Sequence, residues 1–306
     1  MAAERPTSLM AHRRSSQIGP GSNRNSAALS SSDKHNSLQR TSTASAIATT
    51  TTQSNRLVLI TGATGGIGKA TAVSFARTGT YNLALHFNTA DAEAQESLIA
   101  AISEVVPAVI DVALFQADLS SYDEVRKLHK EVVDGLGKGV DVLFSNAGTT
   151  GGLQNIYSLA DVPIETFETT WRVNAGSPFL LAQLCLPHME QQGWGRIIFN
   201  SSVAALNGGV VGPHYASSKS ALHGFVHWLG GNVAKKAITV NAIAPALVED
   251  TAMLPGGSAG TEKLKERLPV GRLGRPEEIA ETVMWMVNTG YLTRKIVPVD
   301  GGFHPY

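Results

Sequence analysis

Cysteine is almost absent: Cys185 is the only one in 306 residues. No disulfide can form within the chain, and a thiolate-rich metal site is excluded. Cys185 sits in the apolar run 179–186 with no cation beside it, which makes it a buried structural thiol rather than a reactive one. Long hydrophobic runs are missing as well, since no stretch reaches the ~18 consecutive apolar residues of a membrane span. An excess of one charge is also lacking. Lys and Arg number 25 against 25 Asp and Glu, so no bulk attraction to nucleic acid or an anionic membrane follows.

That neutrality averages two unlike parts. Residues 1–56 carry seven basic residues against two acidic ones, and the remainder carries 18 against 23. Before Asn55 there is no Phe, Trp or Tyr, while Ser and Thr number 19. Such a segment buries too little surface to offset the entropy of ordering it, and a disordered Ser/Thr-rich tail is expected over 1–56. Its Arg-rich, acid-poor character also fits a mitochondrial transit peptide, but Glu4 and Pro6 interrupt the amphipathic helix such a peptide needs. A flexible extension on a cytoplasmic protein is favoured over that reading. The tail's charge is dilute and it has no aromatics for stacking, so nucleic acid is not expected as a partner.

From Leu57 onward, short aliphatic runs alternate with helical stretches. Strands are predicted at 57–60, 83–87, 113–116, 140–144, 197–200, 239–243 and 296–299. This pattern predicts one α/β domain over 57–306, a doubly wound seven-stranded parallel sheet of the Rossmann type. Right-handed crossovers put every strand's carboxyl end on one edge of the sheet, where chemistry is expected.

Directly after the first strand comes Thr61-Gly62-Ala63-Thr64-Gly65-Gly66-Ile67-Gly68, and Lys69 to Ala76 reads as the helix that follows. Glycines in this position permit a tight turn and close approach of the backbone to a pyrophosphate, and the helix start offers unpaired N–H groups to the anion. Tyr215 and Lys219 stand four apart, which on a helix places them on one face. A nearby ammonium favours the phenolate, so the pair can exchange a proton with an alcohol or ketone oxygen. Thirteen residues before Tyr215, Ser202 lies at the end of the fifth predicted strand, with Ser201 as the alternative hydroxyl.

The T-G-x-x-x-G-x-G spacing, the Ser, Tyr and Lys set, Asn146-Ala147-Gly148, Asn241-Ala242-Ile243-Ala244-Pro245, the run from Gly271 to Ala280, and Val299-Asp300-Gly301-Gly302 together resemble the short-chain dehydrogenase/reductase family. The resemblance spans essentially all of 57–306 and is nearest to 3-oxoacyl-carrier-protein reductase-like members. It implies a catalytic set of Asn174, Ser202, Tyr215 and Lys219. Asn174 would hold a water in a proton relay, with a helix cap as its plain structural alternative. The resemblance also implies dinucleotide contacts from Thr61, Gly62, Gly66, Ile67 and Gly68, from Asn88 and Thr89, from Asp118 and Leu119, and from Asn146, Ala147 and Gly148. Tyr215, Lys219, Pro245, Val248 and Thr251 complete that set. No metal is required. Three departures stand out: Ser145 where a second Asn is frequent, Ala246 for the Gly after Pro245, and Asp250 where the Thr is usual, which moves Thr251 one place on.

The implied reaction is hydride transfer between a nicotinamide and a ketone or secondary alcohol, with a ketone or 3-oxoacyl reductase as the leading form. A non-catalytic dinucleotide-binding regulator of the same fold is the alternative. NADP(H) is favoured over NAD(H), because the second strand ends Leu85-His86-Phe87-Asn88-Thr89 with no carboxylate before Asp91 to repel a 2′-phosphate. Asn88 and Thr89 can donate to that phosphate and His86 can add charge, although Gly65 stands where a basic residue of the loop would be. His214 and His86 are otherwise expected in packing or surface roles. The segment 253–269, glycine-rich around a short amphipathic helix, reads as a lid over the cleft, and its Lys263, Lys265 and Arg267 either meet an anionic substrate such as an acyl thioester carrier or, the favoured reading, form a solvated face. A homo-dimer or homo-tetramer is implied by resemblance alone.

Overall fold

The computed structural model describes residues 55–254 and 261–305. The expected tail lies almost wholly outside the described residues, as do positions 255–260 of the expected lid. Seven strands form one parallel sheet: β1 Arg56–Ile60, β2 Tyr81–Phe87, β3 Val112–Gln116, β4 Val142–Ser145, β5 Gly195–Asn200, β6 Ile238–Pro245 and β7 Ile296–Val299. Their order is β3-β2-β1-β4-β5-β6-β7. All seven predicted strands are present. β1 begins at Arg56, one residue inside the stretch read as tail, because Arg56 pairs with Tyr81 in the ladder.

β1 reads Leu57-Val58-Leu59-Ile60, four apolar residues in succession and all fully buried. A parallel sheet covered on both faces demands this, since alternate side chains enter opposite layers. Leu57 and Leu59 join Leu143, Ile197, Phe199 and Val240 in one layer. Val58 and Ile60 join Leu83, Leu85, Val142, Phe144 and Ile198 in the other. The first layer is closed by α3 Tyr122–Leu136, α5 Ser177–Gln192 and α7 Pro213–Val233, and the second by α1 Gly66–Thr78, α2 Ala92–Ser103 and α9 Pro276–Asn288. Each fully buried large aliphatic or aromatic side chain contributes about 1.5–3 kcal/mol. Cys185 lies in the first layer as expected, its thiol pushed up by complete burial.

Shorter helices, α4 Ile164–Trp171, α6 Ala204–Asn207 and α8 Thr261–Lys265, sit among the connections beyond the carboxyl ends of β4, β5 and β6. At the opposite edge, buried Asp141 accepts from Leu57 N–H, Lys138, His188 and Gln192, and these hydrogen bonds outweigh the cost of burial and keep its carboxyl below the ordinary range. The sheet order reverses between β1 and β4, which opens a crevice at their carboxyl ends.

Candidate active site

α1 begins at the crevice, directly after the glycine loop. Its start differs from those of α2 and α3. Asp91 accepts from Ala94 N–H at α2 and Ser121 from Glu124 N–H at α3, whereas Gly65 gives α1 no side-chain cap and its first turn holds no acid. The first N–H groups of α1 are thus left for an external anion. Close packing explains two of the glycines. A Cβ on Gly68 would stand 2.1 Å from the Gly62 carbonyl oxygen, and one on Gly66 would stand 2.1 Å from that of Asp250. Gly62 N–H donates to His86 Nδ1 at 3.1 Å, and Ala63 N–H to the His86 carbonyl at 2.8 Å.

Around this loop the strand ends are clasped together. Thr61 Oγ1 accepts from both Asn146 N–H and Ala147 N–H at 2.9 Å, and Asn146 Nδ2 donates back to the Thr61 carbonyl. Asn200 Nδ2 donates to Asn146 Oδ1, which carries the clasp to β5, and Asn200 Oδ1 is left as a buried acceptor without a partner. Asn88 and Thr89 are exposed beyond β2, with the Asn88 carbonyl accepting from Gln116. Beyond β3, Asp118 turns its carboxylate onto Ser120 N–H and Oγ, and Leu119 is buried. The uncapped helix start, the close-packed glycines and the free acceptor on Asn200 fit a bound dinucleotide.

Tyr215 and Lys219 lie in the first half of α7, both buried beside the end of β5. Pro213 starts that helix with its fixed φ. The Tyr215 hydroxyl meets the Ser202 hydroxyl and lies 3.9 Å from Met253 Sδ. Ser201, the alternative serine, is turned inward: its Oγ donates to the Lys219 carbonyl and meets His223 Nε2 at 2.9 Å. Lys219 Nζ donates to the Asn200 carbonyl at 2.7 Å and lies 5.8 Å from the centre of the Tyr215 ring. A Cβ on Gly148 would stand 3.0 Å from that ammonium and 3.2 Å from Asn174 Oδ1, so these groups share one wall.

Asn174 is not a helix cap. It sits in a π-helical turn, Arg172–Gly176, between α4 and α5, where its amide donates to the Thr149 carbonyl and Ser218 Oγ and its oxygen accepts from Thr149 N–H. A widened turn of this kind often marks a functional position. The electrostatics differ from the sequence expectation. Burial raises the Tyr215 phenol above its ordinary value, and the opposing influence is the Ser202 hydrogen bond rather than the ammonium. Burial also lowers the Lys219 ammonium to about 8. One of its three N–H groups donates to the Asn200 carbonyl.

β6 ends at Pro245, whose carbonyl accepts from Val203 N–H. Val248 is buried and bridged to Gly274, and Thr251 Oγ1 donates to the Val248 carbonyl. Asp250, in the place usual for Thr, has a left-handed φ of 55°, and its carbonyl lies against Gly66. The loop after β6 therefore crosses the glycine loop and brings Met253 to the Tyr215 hydroxyl. Of the lid cations, Lys265 pairs with Glu262 at 2.7 Å and Arg267 lies 5.5 Å from the Phe303 ring centre. His86 is fully buried and its imidazole is held below the ordinary value by burial, which corrects the expectation that it adds charge for a 2′-phosphate. His214 is buried as well, meeting the Thr150 carbonyl at 2.8 Å. Sequence reasoning missed Met253 and Asn200, and nothing in the spacing of either signals its position.

A glycine loop under an uncapped helix, with a Tyr, Ser and Lys wall at the carboxyl edge of a parallel sheet, defines a dinucleotide-dependent oxidoreductase. A family model described as short chain dehydrogenase matches residues 56–260. The chain belongs to that family, and is an oxidoreductase of carbonyl and alcohol groups that works with a nicotinamide dinucleotide. It is 33% identical over 252 residues to YmfI of Bacillus subtilis (strain 168), described as an uncharacterized oxidoreductase, covering 82% of this chain and 99% of that one. It is 32% identical over 250 residues to the 3-oxoacyl-[acyl-carrier-protein] reductase FabG of Aquifex aeolicus (strain VF5), covering 81% of this chain and 96% of the relative. A short-chain dehydrogenase/reductase from Serratia marcescens superposes with a TM-score of 0.72 at 28% identity, covering 81% of this chain and 97% of that structure.

Proposed function

We propose that this chain reduces a ketone, with 3-oxoacyl thioesters as the leading substrate class, and prefers NADPH to NADH. The observation that carries the reading is the buried Tyr215 hydroxyl, paired with Ser202 and set against Met253 on the loop that crosses the glycine loop. A bound nicotinamide supplies the hydride. A phenol raised by burial is protonated at neutral pH, which is the form that donates to a carbonyl oxygen as it becomes an alcohol. Ser202 donates to the same oxygen and orients it. Lys219 and Asn174 hold the wall behind, Lys219 through the Asn200 carbonyl and Asn174 through Thr149. With Tyr215, Ser202 and Lys219 all in place, nothing in the cleft favours the regulator.

The cofactor preference rests on what surrounds Asn88 and Thr89. Both are exposed where a ribose would lie, and the first carboxylate after them, Asp91, is engaged in capping α2. No fixed negative charge opposes a 2′-phosphate there, and with His86 neutral the selectivity should be modest. NADPH is expected to exceed NADH by about tenfold in kcat/KM, the worth of one charged hydrogen bond. Following nicotinamide absorbance with acetoacetyl and longer 3-oxoacyl thioesters beside plain ketones measures both points. Equal or better rates with NADH overturn the preference, and faster turnover of plain ketones than of any thioester overturns the substrate class.

A homo-oligomer is also proposed. Phe179 on α5 and Trp228 on α7 are 52% and 70% exposed on neighbouring helices, with the Phe179 and Phe225 rings 5.4 Å apart. Sedimentation of the full chain should give a dimer or tetramer, and Trp228→Glu should shift it towards monomer. A monomer at micromolar concentration refutes the proposal.

A further inference from the structure

The His86 side chain touches both the glycine loop and the residue that follows β3. It is fully buried at the carboxyl end of β2, with Nδ1 3.1 Å from Gly62 N–H and Nε2 3.0 Å from the Ala117 carbonyl. Each partner has a single role: an amide N–H only donates and a carbonyl only accepts. Nδ1 must therefore hold the lone pair and Nε2 the proton. Only the neutral imidazole, in one tautomer, satisfies both contacts. An imidazolium would turn an N–H against the Gly62 N–H.

Gly62 begins the loop that leads into α1, and Ala117 precedes Asp118 and Leu119, so the ring spans both sides of the expected nucleotide crevice. We infer that His86 is the positioning residue that presets the dinucleotide loop, and that its protonation releases Gly62 and weakens dinucleotide binding in acid. This rests on the proposed dinucleotide site and extends it to a residue outside the cofactor's expected contacts.

The charged groups on the surrounding elements are engaged elsewhere. On α1, Lys69 bonds Ser97; before α2, Asp91 caps Ala94; after β3, Asp118 is turned to Ser120, and Glu124 accepts from Asp118 N–H. Burial sets the direction, holding the imidazole below its ordinary value of 6.5, so the release belongs to the acid side of that value and not to neutral pH.

Two substitutions separate the ring's two contacts. Asn places an oxygen where Nδ1 stands and does not titrate, whereas Gln places an amide near Nε2 and leaves Gly62 N–H without its acceptor. Calorimetric titration with NADP+ and NAD+ at pH 7.5 should show His86→Gln about tenfold weaker than wild type, since the loop must then be ordered on binding. His86→Asn should lie within about threefold of wild type, and kcat at saturating cofactor should change less than about twofold in both.

Between pH 7.5 and 5, NAD+ affinity should fall for the wild type and stay level for His86→Asn. NAD+ suits this arm because it lacks the phosphate monoester that titrates near ~6. Thermal melts of both variants identify any that fail to fold. Equal weakening in the Asn and Gln variants, or an acid loss that persists in His86→Asn, overturns the inference. A wild type that binds neither dinucleotide at pH 7.5 overturns the site it rests on and the inference with it.

Discussion

Tyr215→Phe should lower kcat for ketone reduction about a thousandfold and leave the dinucleotide Kd within about twofold. The phenol is buried, and among the described residues its hydroxyl meets only Ser202 and Met253, so removing the oxygen takes away the donor without unseating a partner in the core. The ring packs with Ala204 and Ala216, contacts that Phe retains. Loss of a positioned general acid costs roughly 10²- to 10⁴-fold, and Ser202 alone cannot replace it, because an aliphatic hydroxyl is far too weak an acid to give up its proton in place of a phenol.

The same burial sets the pH dependence. A phenol raised above 10.0 stays protonated through the neutral and mildly alkaline range, so the reductive rate should not fall between pH 7 and 9 through loss of this proton. Single-turnover loss of NADPH absorbance measures the effect. A Phe variant that keeps a tenth of the wild-type rate with the same substrate would remove Tyr215 from the chemistry.

Much of this site was legible before the fold, and the reason differs from element to element. The strands were legible because a sheet covered on both faces leaves little place for polar residues along 57–60 or 197–199, and such runs stand out in any composition. The glycine loop was legible because backbone atoms approach within a Cβ's reach at Gly66 and Gly68, which restricts the residue type at those points alone. Tyr215 and Lys219 were legible because one helix carries both at a fixed spacing.

What the chain concealed were contacts made across elements. His86 bonds Gly62, 24 residues away, and Ala117, 31 residues away, and no periodicity relates three such positions. Met253 reaches Tyr215 only because Asp250 takes a left-handed φ and turns the loop across α1. The sense of the Tyr215 shift was concealed too. Spacing showed that an ammonium is near, but not that Lys219 donates to the Asn200 carbonyl or that burial sets the direction of the phenol's shift.

Lys219→Met should abolish most turnover and at the same time make the protein more stable at pH 7. The ammonium is 3% exposed, and burial lowers it from 10.5 to about 8. Below about 8 the folded and unfolded chains both carry the proton, and the full cost of burying the charge weighs on the fold. Between about 8 and 10.5 the folded chain has released a proton that the unfolded chain keeps, so wild-type stability rises with pH. At neutral pH the cost has a ceiling of about 3 kcal/mol. Met fills the same channel without charge but leaves the Asn200 carbonyl without its donor, which takes back about 1 kcal/mol.

A net gain on the order of 1–2 kcal/mol corresponds to a Tm higher by roughly 2–8 °C for a domain of this size. The gap between variant and wild type should then close as the pH approaches 10, because the wild type has by then shed the charge. Calorimetry of both proteins at pH 7 and 10, beside NADPH turnover, tests this. A Met variant no more stable than wild type at pH 7, or a gap that does not narrow towards pH 10, would mean that Lys219 is compensated inside the fold. The buried amine would then be held for packing, and not kept at a cost in stability for the sake of the proton it holds beneath Tyr215.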